Sequence, residues 1–365
     1  MTKLHLGLGL LLGGLLAWGC SSTSSGGTGT FAQSTGPGVG LGTGGTPGLG
    51  AGGNGPGLAS GGMTGPDGTV VFRAHATGCD ANNNCAKCIT LVSLGAPASK
   101  SYGTGNDSTT EFESWLTNTS NAAVTFVNAK VALTADFLNQ YDVVLLQDLR
   151  AWGTFTPDEI ATFQAWIEGG GGVIALSGYF SDGSAEIVPT NQLLAGTGLS
   201  LMPTEVPGQT CDVSSSTLCP NSKASASAKC YCWANSLPIT QFTPGTPFAA
   251  NVAAVGSFRG RQVNPGDPAN VVANYLGSPV AAYKPVGTGK VFVFGDEWIT
   301  YTSQWLSGGQ PTTDPYNPCW DEVAATSCLA GHVFQVKQFW YNSIVNVSPP
   351  SQCNFKIVDE GVILL

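Results

Sequence analysis

Tyr141-Asp142-Val143-Val144-Leu145-Leu146-Gln147 is followed by Thr156-Pro157-Asp158-Glu159 and then by Trp166-Ile167-Glu168-Gly169-Gly170-Gly171-Gly172-Val173-Ile174-Ala175-Leu176. The first run is apolar and β-branched without alternation, as in a strand buried on both faces. Thr156 suits a helix N-cap, Pro157 its first position, and Glu159 completes a capping box, with Asp158 and Glu159 against the positive end of the helix. Ile160, Phe163, Trp166 and Ile167 then share one apolar face. Gly169 to Gly172 stop the helix and turn the chain into the strand Val173–Leu176.

The same alternation extends outward. Ile89-Thr90-Leu91-Val92-Ser93-Leu94, ending at Gly95, reads as a first strand, Asp107 to Leu116 as a helix with Phe112, Trp115 and Leu116 on its buried stripe, and Val124 to Val127 as a strand. A short helix is expected over Thr134–Gln140. Downstream, Pro279–Tyr283 and Lys290–Phe294 read as strands on either side of a turn at Gly287–Gly289, and His332–Val347 as a last helix. Between them, residues 202–248 are rich in proline, serine and cysteine and are expected to be an irregular, disulfide-stapled insertion. Strands alternating with helices predict an α/β domain over residues 69–365: a three-layer flavodoxin-like domain with a mainly parallel sheet.

The amino-terminal residues have a different physics. Lys3, an apolar run from Leu4 to Leu16 and then Ala17-Trp18-Gly19-Cys20 make a signal-peptide layout over residues 1–19, too short for a spanning helix and without a cationic stop. A cysteine after a small residue resembles the lipobox of bacterial lipoproteins, which implies cleavage before Cys20 and acyl chains on its thiol. Ala17 and Trp18 stand where lipoboxes usually carry leucine and a small residue, and an ordinary secretory signal is the alternative. Residues 20–68 follow as the lipidated cysteine and a tether of Gly, Ser, Thr, Pro and Ala, with Asp67 its only charge. Such a composition does not repay backbone entropy and is expected to be disordered, with a reach of about 40 Å. The expected location is therefore the bacterial cell envelope, with the membrane as partner through Cys20.

Only 10% of residues are charged, with 14 Lys and Arg and a net charge of −9, which disfavours nucleic acid as a partner. Setting Cys20 aside leaves ten cysteines: Cys79, Cys85, Cys88, Cys211, Cys219, Cys230, Cys232, Cys319, Cys328 and Cys353. In an exported chain an even number reads as up to five disulfides. His75 with Cys79, Cys85 and Cys88 formally supplies four zinc ligands, but thiols oxidise in that compartment, and no metal or cofactor is expected. Asp80, Asn82 and Asn84 imitate the start of a calcium loop whose required glycine and acid are replaced by Cys85 and Leu91.

The segments Tyr141–Leu146, Thr156–Glu159 and Trp166–Leu176 together resemble the class I glutamine-amidotransferase-like superfamily, especially its trehalose-utilisation-protein-like branch, over roughly residues 89–299. In that superfamily a cysteine on a strand-to-helix turn is the nucleophile and a His-x-Glu pair follows a late strand. The matching positions here read Ser177-Gly178-Tyr179 and Gly295-Asp296-Glu297, so the cysteine and histidine are absent and only Glu297 matches. The resemblance thus implies the fold without the amidotransfer chemistry.

Two functions follow. One is a non-catalytic module binding a small ligand, glycan or protein at the carboxyl ends of its parallel strands. The other is a serine hydrolase in which Ser177 is activated by His332 and an acid, Asp296. Because Ser177 follows one strand and Asp296 and Glu297 another, all three are expected at one edge of the sheet. Trp152, Tyr179, Trp298, Tyr301 and Trp305 are placed either to stack on a sugar or to fill the core.

Overall fold

The computed structural model describes residues 75–95, 109–177, 184–206, 237–257, 260–302, 305, 334–351, 353–359 and 362–364, together with the backbone of 63–64 and 70–71. Residues 1–19, Cys20 and nearly all of the tether lie outside this set, as do Cys211, Cys219, Cys230, Cys232, Cys319, Cys328, Tyr179 and His332. Met63–Thr64, expected to be unstructured tether, pairs with Val70–Val71 in a two-residue antiparallel ladder.

An eight-stranded mixed sheet organises the domain. Its strands in chain order are β1 (Ile89–Leu94), β2 (Ala122–Val127), β3 (Val143–Leu146), β4 (Gly172–Leu176), β5 (Gln241–Phe242), β6 (Val271–Tyr275), β7 (Ser278–Val286) and β8 (Gly289–Phe294). Across the sheet the order is β2-β1-β3-β4-β8-β7-β6-β5. The first five are parallel, and β7, β6 and β5 are added antiparallel. The sheet expected to be mainly parallel has five parallel strands of its eight and is mixed through the antiparallel wing. The antiparallel wing is built by a hairpin with a two-residue turn, Gly287-Thr288, in which Gly287 takes a positive φ of 60°.

Helices α1 (Thr110–Asn118), α2 (Ala135–Leu138), α3 (Pro157–Glu168), α4 (Ile187–Leu194) and α5 (Val336–Val347) cover the sheet. Alternate residues of the central strands face opposite ways. Leu91, Val143, Leu145, Ile174, Phe292 and Phe294 join one core with Phe112, Trp115 and Leu116 of α1 and Phe339, Trp340 and Ile344 of α5. Val92, Val144, Leu146, Val173, Ala175 and Val293 join the other, with Phe163, Trp166 and Ile167 of α3 and Leu193 and Leu194 of α4. The capping box forms as read: Thr156 Oγ1 accepts from the Glu159 N–H, and the Glu159 carboxylate accepts from the Thr156 N–H. Gly172 is needed because a Cβ there would sit 2.5 Å from the Val347 carbonyl oxygen.

The last helix begins at Val336, four residues after the expected start, and the described residues before it, Phe334 and Gln335, are not helical. Residues 202–248 were expected to be irregular, yet Ser200–Glu205 pairs with Arg261–Asn264 and Leu237–Ile239 with Val255–Ser257, so the described flanks of that insertion are strands. Two disulfides are present among the described residues. Cys79–Cys85 closes a hairpin between Thr77–Cys79 and Cys85–Lys87, and Cys88–Cys353 ties the start of β1 to the tail beyond α5. No described helix is long and apolar enough to cross a membrane.

Candidate functional site

Parallel strands end on the same side, and β4 and β8 are neighbours, so Ser177, Asp296 and Glu297 meet at one edge. The Glu297 N–H donates to the Ser177 carbonyl. Ser177 Oγ donates to the Gly295 carbonyl at 2.6 Å, and the same carbonyl accepts from the Arg261 N–H at 2.6 Å. Asp296 Oδ1 accepts from the Trp298 N–H at 2.8 Å and so starts a single 3₁₀ turn, Trp298–Thr300. These groups are not laid open to solvent: Ser177 is 1% exposed and Asp296 and Glu297 2% each.

Sequence reading missed the charges that surround them. Asp148 follows β3 and is held by Arg150, whose Nε lies 3.0 and 2.9 Å from its two carboxylate oxygens. Glu186, in the turn before α4, receives Arg261 Nη2 at 3.2 Å, and both are almost fully buried. Asp148 carried a signal, since it stands two residues beyond the most strongly apolar strand, where the carboxyl edge of a parallel sheet must lie. Arg261 carried none, because its strand Arg261–Asn264 pairs with Ser200–Glu205, far away in sequence.

Glu297 differs from its neighbours. Its Oε1 accepts from the Tyr301 hydroxyl at 3.1 Å, while Oε2 is buried with no hydrogen-bond partner among the described residues. Burial first, and then the nearby Glu186, Asp148 and Asp296 carboxylates, hold its proton on well above the usual carboxylate range, against the pull of Tyr301. The sign of the consequence is fixed. Below about pH 4 the carboxyl is protonated in both the folded and unfolded chain, whereas above it the unfolded chain ionises more readily, so stability falls as pH rises towards the raised folded value. Glu297→Gln, which keeps a neutral acceptor for Tyr301, is expected to remove that slope. Its melting temperature should gain on the wild type as pH rises above the usual carboxylate range, and parallel melting curves across that rise would contradict the assignment.

The remaining sequence candidates resolve differently. Trp152, Tyr301 and Trp305 are buried: Trp152 packs on Phe155, and Trp305 lies 4.9 Å from Trp115 and 5.6 Å from Phe112 between ring centroids. Trp298 is half-buried with its ring 4.4 Å from Tyr301. The formal zinc set is dismantled by the bridges through Cys79, Cys85 and Cys88, and no group of three or more His, Cys, Asp or Glu among the described residues is arranged to hold a metal. His75 instead pairs with Asp142. Its ring Nδ1 lies 2.8 Å from Oδ1 and its backbone N–H donates to the same carboxylate, which also takes the N–H and hydroxyl of Thr90. The Asp142 side chain raises the His75 pKa above its usual value, with burial opposing. Asp80 spends its carboxylate on the hairpin, accepting from the N–H groups of Asn82 and Asn84 and from Asn84 Nδ2.

A cleft of about 540 Å³ lies at the opposite, amino-terminal edge, between the Cys79–Cys85 hairpin, the end of α5 and the tail around Cys353. Size and position do not coincide in this domain: the charged edge is buried, and the cleft is away from it.

No protein-family model and no curated protein matches this sequence. Among solved structures, the N-terminal domain of mmIFT52 is similar at 16% identity and a TM-score of 0.41, over 58% of this chain and 88% of that one. A cytoplasmic protein of Salmonella typhimurium LT2, STM1381, is similar at 13% identity and a TM-score of 0.42, over 71% of this chain and 100% of that one. A cold-adapted β-galactosidase from Rahnella sp. R3 is similar at 12% identity and a TM-score of 0.34, over 56% of this chain and 28% of that one.

Proposed function

We propose that this chain is an exported lipoprotein, cleaved before Cys20 and held at the cell-envelope membrane by acyl chains on that cysteine, whose domain is a non-catalytic binding module. The single observation that carries the non-catalytic reading is the bonding of Ser177. A serine nucleophile presents its hydroxyl to a base and a substrate, whereas this hydroxyl is buried and donates to the Gly295 carbonyl. The acids beside it support the same reading, since Asp148 and Glu186 are paired with arginines and burial raises the Glu297 pKa well above the usual carboxylate range. Two disulfides suit an oxidising compartment and so favour export.

The same proposal takes the domain as a flavodoxin-like, three-layer relative of the class I glutamine-amidotransferase-like superfamily without its cysteine and histidine. Support comes from the parallel order β2-β1-β3-β4-β8 and from helices packed into both apolar cores.

The test is Ser177→Ala against a panel of esters and amides. Neither wild type nor variant is expected to turn over any of them, while the variant loses about 1 kcal/mol of stability with its bond to Gly295. Turnover by the wild type that disappears in Ser177→Ala would restore the hydrolase.

A further inference from the structure

The chemistry of the amino-edge cleft is unusual for so acidic a chain. The sequence has 23 Asp and Glu, yet none of them lines the cleft, whose walls carry Asn82, Asn83, Asn84, Asn121, Asn354 and Lys356. Five amides and one exposed ammonium form a hydrogen-bonding wall that carries no acidic side chain. Its volume of about 540 Å³ falls in the range of small-molecule sites.

The amides divide into two sets. Asn121 and Asn84 hold the walls: Asn121 donates to the Asn354 carbonyl and accepts from the Lys356 N–H, and Asn84 donates to Asp80. The side chains of Asn82, Asn83 and Asn354 have no hydrogen-bond partner among the described residues. Asn82 and Asn83 stand at the tip of the hairpin, where Asn83 takes a left-handed φ of 61°. Both walls are cross-linked. Cys79–Cys85 closes the loop that carries three of the asparagines, and Cys88–Cys353 anchors the segment that carries Asn354 and Lys356 to β1. Walls fixed in advance lose little freedom on binding.

From this juxtaposition we propose that the cleft binds a neutral, hydroxyl-rich glycan, a proposal that rests on reading the domain as a non-catalytic binding module. A primary amide offers one acceptor oxygen and two N–H donors, which matches a sugar hydroxyl that both donates and accepts. A ring of such groups recognises adjacent hydroxyls without requiring charge on the ligand. Affinity therefore comes from neutral hydrogen bonds and is insensitive to salt.

Calorimetric titration of the full chain in detergent with maltotriose, cellotriose, chitotriose and trigalacturonate tests it. At least one neutral trisaccharide is expected to bind with a Kd of about 1 mM or tighter, unchanged in 0.5 M salt and better than trigalacturonate. Asn82→Ala/Asn354→Ala should weaken it about tenfold, and so should Asn83→Gly, which keeps the left-handed turn, with melting temperatures confirming that both variants fold. No neutral binding below about 10 mM, an affinity indifferent to these variants, or tighter salt-sensitive binding of the acidic sugar would each overturn the proposal. Failure of the underlying reading is seen separately, as Ser177-dependent turnover, so absent binding without turnover removes the cleft assignment alone.

Discussion

Arg261→Leu is expected to lower the stability of the domain by about 3–5 kcal/mol, the cost of removing one partner of a buried ion pair. Arg261 is 1% exposed and its guanidinium meets Glu186, which is 2% exposed. Leucine fills part of the space and supplies no charge. Glu186 then stays buried with Glu297 within its field, where Glu186, Asp148 and Asp296 already raise the Glu297 pKa. A loss of this size corresponds to a fall in melting temperature of about 10 °C in a domain of this length, readable by calorimetry at pH 7. Lowering the pH should narrow the gap, because protonation relieves a carboxylate that has lost its arginine. A loss below about 1 kcal/mol, typical of exposed pairs, would show that the charged edge is solvated.

The second large effect belongs to the Cys88–Cys353 bridge. It spans 265 residues, whereas Cys79–Cys85 spans six. Cross-linking restricts the unfolded chain in proportion to the logarithm of the loop it closes. Cys88→Ser/Cys353→Ser is therefore expected to cost about 5.5 kcal/mol and Cys79→Ser/Cys85→Ser about 2 kcal/mol. Urea unfolding of the two double variants under identical conditions measures the difference. Equal losses would mean that local packing around the bridges, rather than chain restriction, sets their worth.

Much of the parallel half of the domain was legible because its signals are local. Thr156, Pro157 and Glu159 define a helix start within four residues, and the glycines from 169 to 172 define its end. The unalternating Val143–Leu146 announces a strand with both faces covered, and all four residues are buried. The antiparallel wing was less legible. Gln241–Phe242 has two residues, and Val271–Tyr275 includes Asn274 and pairs through register shifts, so neither shows a clean period of two.

The site divides along the same line. The meeting of Ser177 with Asp296 and Glu297 could be reasoned out, since each follows a strand that ends on the same side. Their burial could not. It depends on Arg261 and Glu186, 75 residues apart, coming together across the same edge, and nothing in either local sequence encodes that contact. The cleft was hidden for a similar reason: Asn82–Asn84, Asn121 and Asn354 are gathered by two disulfides whose pairing is not deducible from spacing.

Display of the domain at a membrane by a lipid on Cys20 is decided by the mass of the amino-terminal peptide. The chain would be recovered from the membrane fraction of expressing bacteria and digested, and its first peptide measured. The expected peptide begins at Cys20 and carries the added mass of a diacylglycerol, with or without a third acyl chain. A mature chain that begins at any other residue, or one that begins at Cys20 with an unmodified thiol, would contradict it.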